Sequence, residues 1–263
     1  MKSLILILIV LFSLKIVGNQ KTTTIWNTGQ ADTIEKGRFE VGIFQPLKYG
    51  FTNSIEFSTY PLVNFIMPNF SIKKNYLKKY KWSLSSEHFI SYPTLLLKLI
   101  SKKGVGGLLP STAKENIPQQ IYTEHSIMFS YNLSKYFIIT PKISVSIPII
   151  FNSYKKFPTI DMFLLYPRTA PFHGDFVYTL SLDIDGLIWN KLYYSIDLDY
   201  YNNLAINIYN SEGIGSSYEH KFMLIWKNSK TFSIYAGYKL IYGNYPYGSQ
   251  LNIVPLVDLA WGF

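Results

Sequence analysis

Four aspartates in two closely spaced pairs are the residues of this chain whose types and spacing best suit chemistry. Asp183 and Asp185 are two residues apart, and Asp197 and Asp199 repeat that spacing soon afterwards. Residues two apart share one face of a β-strand, so a hairpin would gather all four carboxylates on one surface. Clustered carboxylates repel one another unless a cation or basic side chain lies beside them. The pattern predicts a cation-attracting strip or a divalent-ion site, or else an acidic cluster that lysines neutralise.

The segments that carry these aspartates alternate between apolar and polar residues. Leu180 and Leu182 precede Ile184 on the apolar face of the first segment, and Ile196 and Leu198 continue the pattern in the second. Such alternation is typical of a strand with one apolar face. A soluble β-sandwich shows it too, but most runs here reach about ten residues, the length that a tilted strand needs to cross a bilayer.

The last thirteen residues alternate most strictly. Every second residue from Leu251 to the terminal Phe263 is apolar, and Trp261 lies on the same face. This ending resembles the C-terminal β-signal of bacterial outer-membrane barrels, whose final strand ends in Phe. The resemblance implies an all-β, antiparallel up-and-down transmembrane barrel. It also implies that Trp261 and Phe263 form the assembly signal read by the barrel insertion machinery.

The N-terminus has the pattern of a secretory leader. Lys2 provides a short positive start, residues 4–14 are apolar apart from Ser13, and Lys15 ends the run. A run this short suits the core of a signal peptide and is too short to span a bilayer. We therefore expect residues 1–20 to be a signal peptide cleaved near residues 18–20, and residues 21–263 to form one barrel domain.

Composition agrees with a barrel and argues against other classes. The chain has 22 Tyr, 18 Phe and 5 Trp with only 16% charged residues, which suits strands and the aromatic girdles of a membrane barrel. It has no cysteine, so disulfides and thiolate metal sites are excluded. The net charge is +9, but the lysines are expected mainly in turns and loops, for example Lys73 and Lys81. Without a basic helix, we expect no nucleic-acid partner.

The spacing of the runs predicts about twelve strands. Short turns alternate with longer connections, mainly residues 95–118, 151–172 and 205–216, as in outer-membrane barrels. An even count requires residues 22–30 as the first strand and residues 38–49 as the second. Around residues 32–57 the chain also resembles a loose group of predicted outer-membrane barrels, through Thr33-Ile-Glu-Lys-Gly37 and Tyr49-Gly-Phe-Thr-Asn53. That resemblance implies the fold and no cargo.

The polar face of the strands should line the lumen, where charges avoid lipid. These side chains either pair into a network that fills the lumen or line a small aqueous channel. By parity the lumen-facing set also includes Glu56, Lys81 and Glu87. The candidate lumen-lining site residues are Asp183, Asp185, Asp197, Asp199, Lys142, Lys221, Lys239, Glu124 and Glu219.

These features favour a monomeric outer-membrane barrel of a Gram-negative cell, acting as a narrow porin-like channel or transporter for small solutes. One alternative is a structural or adhesive barrel with a plugged lumen and binding loops at residues 95–118 and 151–172. Another is a membrane-embedded lipid hydrolase, since Ser86 and His88 share an outward face, similar to the outer-membrane phospholipase. That family's His-x-Ser-Asn-Gly stretch is absent here. We expect no enzyme activity, cofactor or metal.

Overall fold

The structure is a computed structural model that describes residues 29–79, 81–134, 137–151, 160, 163–173, 176–203, 216–245 and 248–263. The expected signal peptide, residues 1–20, lies outside the described residues. Most of the expected first strand, residues 22–28, lies outside them as well.

The described residues form a closed antiparallel barrel in which each strand pairs with the next and the last pairs with the first. The fold class and the number of strands are therefore confirmed. The strands are β1 (Phe39–Gly42), β2 (Leu47–Thr52), β3 (Ile55–Thr59), β4 (Asn69–Lys78), β5 (Trp82–Ser91), β6 (Gln120–Ser134), β7 (Phe137–Ile150), β8 (Val177–Trp189), β9 (Leu192–Asn203), β10 (Ser216–Lys227), β11 (Phe232–Tyr245) and β12 (Gly248–Gly262).

Short helices occur only in the connections between the described strands. They are α1 (Pro61–Asn64), α2 (Thr94–Ile100), α3 (Tyr166–Thr169) and two 3₁₀ turns (Ser111–Asn116 and Ala170–His173). None of the helices among the described residues has the length and apolarity needed to cross a membrane.

Two predictions about the first strands are wrong, although the total is right. The expected single strand over residues 38–49 is two strands, β1 and β2, joined by a turn at residues 43–46. Asp258 fixes this turn, because its Oδ1 accepts hydrogen bonds from the backbone N–H groups of Ile43 (3.0 Å) and Phe44 (3.2 Å). The expected first strand is also wrong in its described part, since Gly29 and Gln30 belong to no strand.

The two faces of the wall differ as the alternation predicts. Leu180 and Leu198 point outward and are 45% and 41% exposed, whereas Ser181 and Ser195 between them are buried. Aromatic rings meet on the outer face, as where Tyr200 lies 4.9 Å from Tyr218 between ring centroids. An apolar exterior around a polar, hydrogen-bonded interior is the arrangement of a membrane-spanning barrel.

We call the end of the barrel near Phe263 the lower end and the opposite end the upper end. The long connections lie at the upper end, where two of them pack together around an apolar cluster. This cluster consists of Leu97, Leu109, Ala113, Ile117, Tyr122, Ile160 and Phe172. It holds the connection that contains α3 against the barrel, which positions Arg168 above the lumen.

Candidate functional site

The barrel encloses a cavity of about 760 Å³. Among the described residues, six basic and seven acidic side chains line it. Of the nine lumen-lining candidates, seven lie on the cavity: Asp183, Asp197, Asp199, Lys142, Lys221, Lys239 and Glu124. Asp185 and Glu219 are buried beside it instead, in contacts described below. Lys81, also expected inside, is exposed beside the turn between β4 and β5.

The four aspartates lie on one wall, as the hairpin between β8 and β9 requires. Asp183 is directly opposite Asp197 in the register, and Asp199 is opposite Ser181. Lys221 forms an ion pair with Asp197, so part of this acidic strip is neutralised. Among the described residues, neither Asp183 nor Asp199 makes an ion pair. The strip therefore combines both sequence alternatives: of the three carboxylates on the cavity, Asp197 is paired with a lysine, and Asp183 and Asp199 are not.

Arg168 narrows the upper part of the lumen. Its Nη1 and Nη2 donate hydrogen bonds of 2.6 Å to the two carboxylate oxygens of Glu219, and Nη2 also donates to the Tyr201 hydroxyl at 3.0 Å. Lys239 Nζ donates to the same carboxylate at 2.6 Å. The Glu219 side chain is 0% exposed, so this bidentate pair is fixed inside the wall. Sequence reasoning missed Arg168 because it lies in a connection without strand periodicity.

The segment Gly29–Ile34 crosses the lower part of the lumen. The backbone N–H of Ala31 donates to Ser130 Oγ at 2.7 Å, and that of Ile34 donates to Glu56 Oε2 at 2.9 Å. Lys73 Nζ donates to the backbone carbonyl of Asp32 at 2.9 Å and also to that of Gln30. These partners belong to β3, β4 and β6, so the segment spans the interior.

Two further contacts tie this segment to the aspartate strip. Gln30 Nε2 donates a hydrogen bond of 3.1 Å to Asp185 Oδ2, and Asp185 does not line the cavity. Gly29 has a φ of +91° and lies so close to Asp183 that a Cβ there would be 2.6 Å from Oδ2. Lys73, expected in a turn, is a buried residue of β4. The sequence signal that could have shown this is the spacing of two residues that Lys73 shares with the polar Ser71 and Asn75.

A hydrogen-bonded chain lies on the outward face of β5 and β6. Ser86 Oγ is 3.1 Å from His88 Nε2, and His88 Nδ1 is 2.9 Å from Nδ1 of His125, its register partner. Tyr76 OH is 2.9 Å from Ser86 Oγ. Ser86 is 6% exposed. A serine, a base and a third group in sequence form the arrangement of an activated nucleophile.

The proposed assembly signal lies at the lower rim. Phe263 exchanges two backbone hydrogen bonds with Phe39, of 3.0 and 2.9 Å, and its side chain is 74% exposed. Trp261 contacts Phe232, with 5.9 Å between ring centroids. Both rings therefore point outward at the seam where the barrel closes.

No protein-family model and no curated protein matches this chain. Among solved structures, the NanC porin is 11% identical with a TM-score of 0.46, over 86% of this chain and 96% of its own. The KdgM porin, solved with disordered oligogalacturonate, is 10% identical with a TM-score of 0.42, over 86% and 94%. The outer membrane channel DcaP of Acinetobacter baumannii is 9% identical with a TM-score of 0.43, over 95% and 68%. By its own topology, the described part of this chain is a closed, twelve-stranded antiparallel β-barrel.

Proposed function

We propose that this protein is a narrow outer-membrane channel that passes small charged solutes. The observation that carries the proposal is the cavity of about 760 Å³ that ionisable side chains line inside a membrane-type barrel. A barrel that serves only as a scaffold gains nothing from an interior of this kind, because burying ionisable groups is costly. A lumen that receives water and ions keeps such groups solvated.

Gly29–Ile34 and Arg168 form two constrictions of the lumen. Polar contacts hold both of them in place, so both are compatible with the passage of a solute. Gly29–Ile34 is attached by hydrogen bonds to wall residues such as Ser130 and Glu56, and Arg168 by its pair with Glu219. Such contacts contribute about 0.5–1.5 kcal/mol for each neutral hydrogen bond and about 1.5–3 kcal/mol where one group is charged, so the contact with Ser130 is released more easily than that of Arg168. We infer that displacement of Gly29–Ile34 opens the lower part of the lumen.

On the part of the wall formed by β8 and β9, carboxylates without an ion pair favour cations. Asp183 and Asp199 face the cavity without an ion pair among the described residues, and Lys142 lines the cavity near them. The lumen is surrounded by low-dielectric wall, where a fixed charge acts more strongly than in water. We therefore propose that cations pass more readily than anions, although the whole chain is basic.

Reversal potentials in a planar bilayer under a salt gradient test this proposal. The unmodified protein should conduct with a preference for cations. Replacing all four aspartates of the strip with asparagine should reduce that preference and its dependence on ionic strength. A selectivity for anions, or one that ignores the four substitutions, would show that the lysines dominate. Well-folded protein without any current would instead favour the plugged structural or adhesive barrel.

The cellular context belongs to the same proposal. Residues 1–20 direct export and are removed, and the insertion machinery reads Trp261 and Phe263 at the lower rim. The mature barrel acts as a monomer in the outer membrane, without a cofactor.

A second candidate function rests on the chain Ser86–His88–His125. In an acyl transfer, Ser86 Oγ attacks an ester carbonyl and its proton passes to His88 Nε2, which then protonates the leaving alcohol. His125 Nδ1 accepts the hydrogen bond from His88 Nδ1 and stabilises the cation that forms. Water hydrolyses the resulting acyl-serine. Release of labelled fatty acid from phospholipid vesicles that is lost in Ser86→Ala would support this activity, whereas no release from folded protein would exclude it.

A further inference from the structure

The barrel wall is much lower on one side. β1, β2 and β3 have 4, 6 and 5 residues, whereas β11 and β12 have 14 and 15. At about 3.3 Å per residue, the three short strands reach at most about 20 Å along their length and β12 about 50 Å. The turn between β1 and β2, residues 43–46, therefore lies well below the top of β12.

Among the described residues, the upper part of β12 consequently has no neighbour on one edge. Only three register pairs join β1 to β12, the uppermost being Gly42 with Ala260, and Ile43 N–H donates to the Leu259 carbonyl just above them. Beyond Leu259, no described residue pairs with this edge of β12. The backbone groups of successive residues point to alternate edges of a strand. The backbone groups of Val257, Pro255 and Ile253 therefore point to the same edge as those of Leu259.

One residue of the upper part of β12 suits an open edge. Pro255 has no N–H to donate, and proline inside a sheet is confined to edges or bulges. Unpaired carbonyls in lipid tails are costly, so energetics disfavour an edge that faces only hydrocarbon. A water-containing opening in the wall satisfies these groups.

The cavity reaches this opening. It is lined by Phe44 and Pro46 of the turn, and by Pro255 and Val257 of β12. Val257 points outward and is 64% exposed, yet it lines the same cavity as the lumen-facing Asp183. One space therefore extends from the charged lumen, past an apolar rim, to the outer surface of the wall.

An acidic group lies just inside the rim. Asp258 Oδ1 accepts backbone hydrogen bonds from Ile43, Phe44 and Leu259. Its Oδ2 is buried and has no hydrogen-bond partner, and the residue lines the cavity. An unpartnered carboxylate oxygen beside an apolar rim suits a ligand with a donor head group and an apolar tail.

We propose that this opening is a lateral portal that binds a single-chain amphiphile with an ammonium head. The ammonium donates to Asp258 Oδ2, and the alkyl chain lies against Phe44 and Val257 and continues into the bilayer. The inference rests on the proposed function, because it uses the same lumen, and adds a second exit from it. Cation preference in the lumen and an ammonium head at the portal both depend on carboxylates that make no ion pair among the described residues, Asp183 and Asp199 in the first case and Asp258 in the second.

The opening itself is tested by a fluorophore inside the lumen. The chain has no cysteine, so Leu256→Cys at the portal and Ser195→Cys on the closed wall can each be labelled specifically. In vesicles of brominated phosphatidylcholine, we expect the label at Leu256 to be quenched at least threefold more than the label at Ser195. Equal quenching would overturn the portal. If Leu256→Cys does not fold, Val254→Cys on the same face takes its place.

The ligand is tested by electron paramagnetic resonance with a nitroxide-labelled long-chain alkylammonium in the reconstituted full chain. We expect the protein-bound fraction to be larger than for the same chain with a carboxylate head. Asp258→Asn should reduce that fraction severalfold while its Oδ1 still accepts from the turn, and the matched Asp185→Asn should not. Equal binding of both heads, or no effect of Asp258→Asn, would overturn the assignment.

The two proposals fail separately. Current without selective quenching at Leu256 would leave a channel without a portal. Selective quenching and ammonium binding without current would leave a lipid-facing binding site in a barrel that does not conduct.

Discussion

Glu219 is expected to hold the upper constriction in place, which Glu219→Gln tests. The carboxylate accepts three charge-assisted hydrogen bonds, two from Arg168 and one from Lys239. With its oxygen at the Oε2 site, glutamine still accepts from Arg168 Nη2 and Lys239 Nζ, but its N–H₂ group faces Arg168 Nη1. One bond is therefore lost, and the other two lose the negative charge of their acceptor.

The burial of these side chains determines how much Glu219→Gln should lower the free energy of unfolding. Hydrogen bonds to a charged group contribute about 1.5–3 kcal/mol each, and breaking a buried ion pair costs about 3–5 kcal/mol. The Arg168 side chain is 38% exposed and that of Lys239 is 13% exposed, so water recovers part of the loss for Arg168. We expect a loss of about 3 kcal/mol in the free energy of unfolding, taking the lower part of that range.

The assay is urea unfolding of the reconstituted barrel, followed by tryptophan fluorescence and gel mobility. Glu124→Gln is the matched control, because Glu124 lines the same lumen but accepts one hydrogen bond, of 2.8 Å, from Tyr122. The oxygen of the glutamine can still accept from Tyr122, so the loss for this variant should stay below about 1.5 kcal/mol. In the bilayer, Glu219→Gln should also raise the single-channel conductance, since Arg168 is no longer fixed. Equal stability of the two variants together with an unchanged conductance would refute the role given to Glu219.

The remaining predictions concern the membrane face and assembly. Lys in place of Leu182 should cost roughly 2–4 kcal/mol near mid-membrane, whereas Lys in place of the neighbouring lumen-facing Ser181 should cost less; equal losses in urea unfolding would contradict the sidedness. Deleting Phe263 should sharply lower the amount of heat-modifiable barrel in outer-membrane fractions, because the insertion signal and the closing contacts with Phe39 are lost. Normal levels of folded protein would contradict that role.

Local periodicity made the strands and their faces predictable. The side chains of a strand repeat every two residues, so the sequence alone assigned Ser195 to the inner face and Leu198 to the outer face. The same rule gathered the four aspartates on one wall once a short turn joined their strands. The alternation and the aromatic end of β12 indicated a membrane barrel because lipid requires an apolar exterior and fully paired strands.

The first two strands show where local pattern was insufficient. The alternation of residues 38–49 continues through the turn at residues 43–46, which has no Gly-containing turn dipeptide, so one long strand was the natural interpretation. The turn depends on Asp258, a residue more than two hundred positions away that accepts from Ile43 and Phe44. A long-range partner of this kind leaves no local signal.

Tertiary structure alone decided what occupies the lumen and where the wall is low. Gly29–Ile34 and Arg168 lie in segments without strand periodicity, and their places are set by hydrogen-bond partners on several strands at once. The height of the wall depends on how strands of unequal length meet when the barrel closes. Sequence therefore determined which side chains face inward, because that choice is local. Closure determined which of them meet, which are paired and which remain available to a solute, because those contacts join residues far apart in the chain.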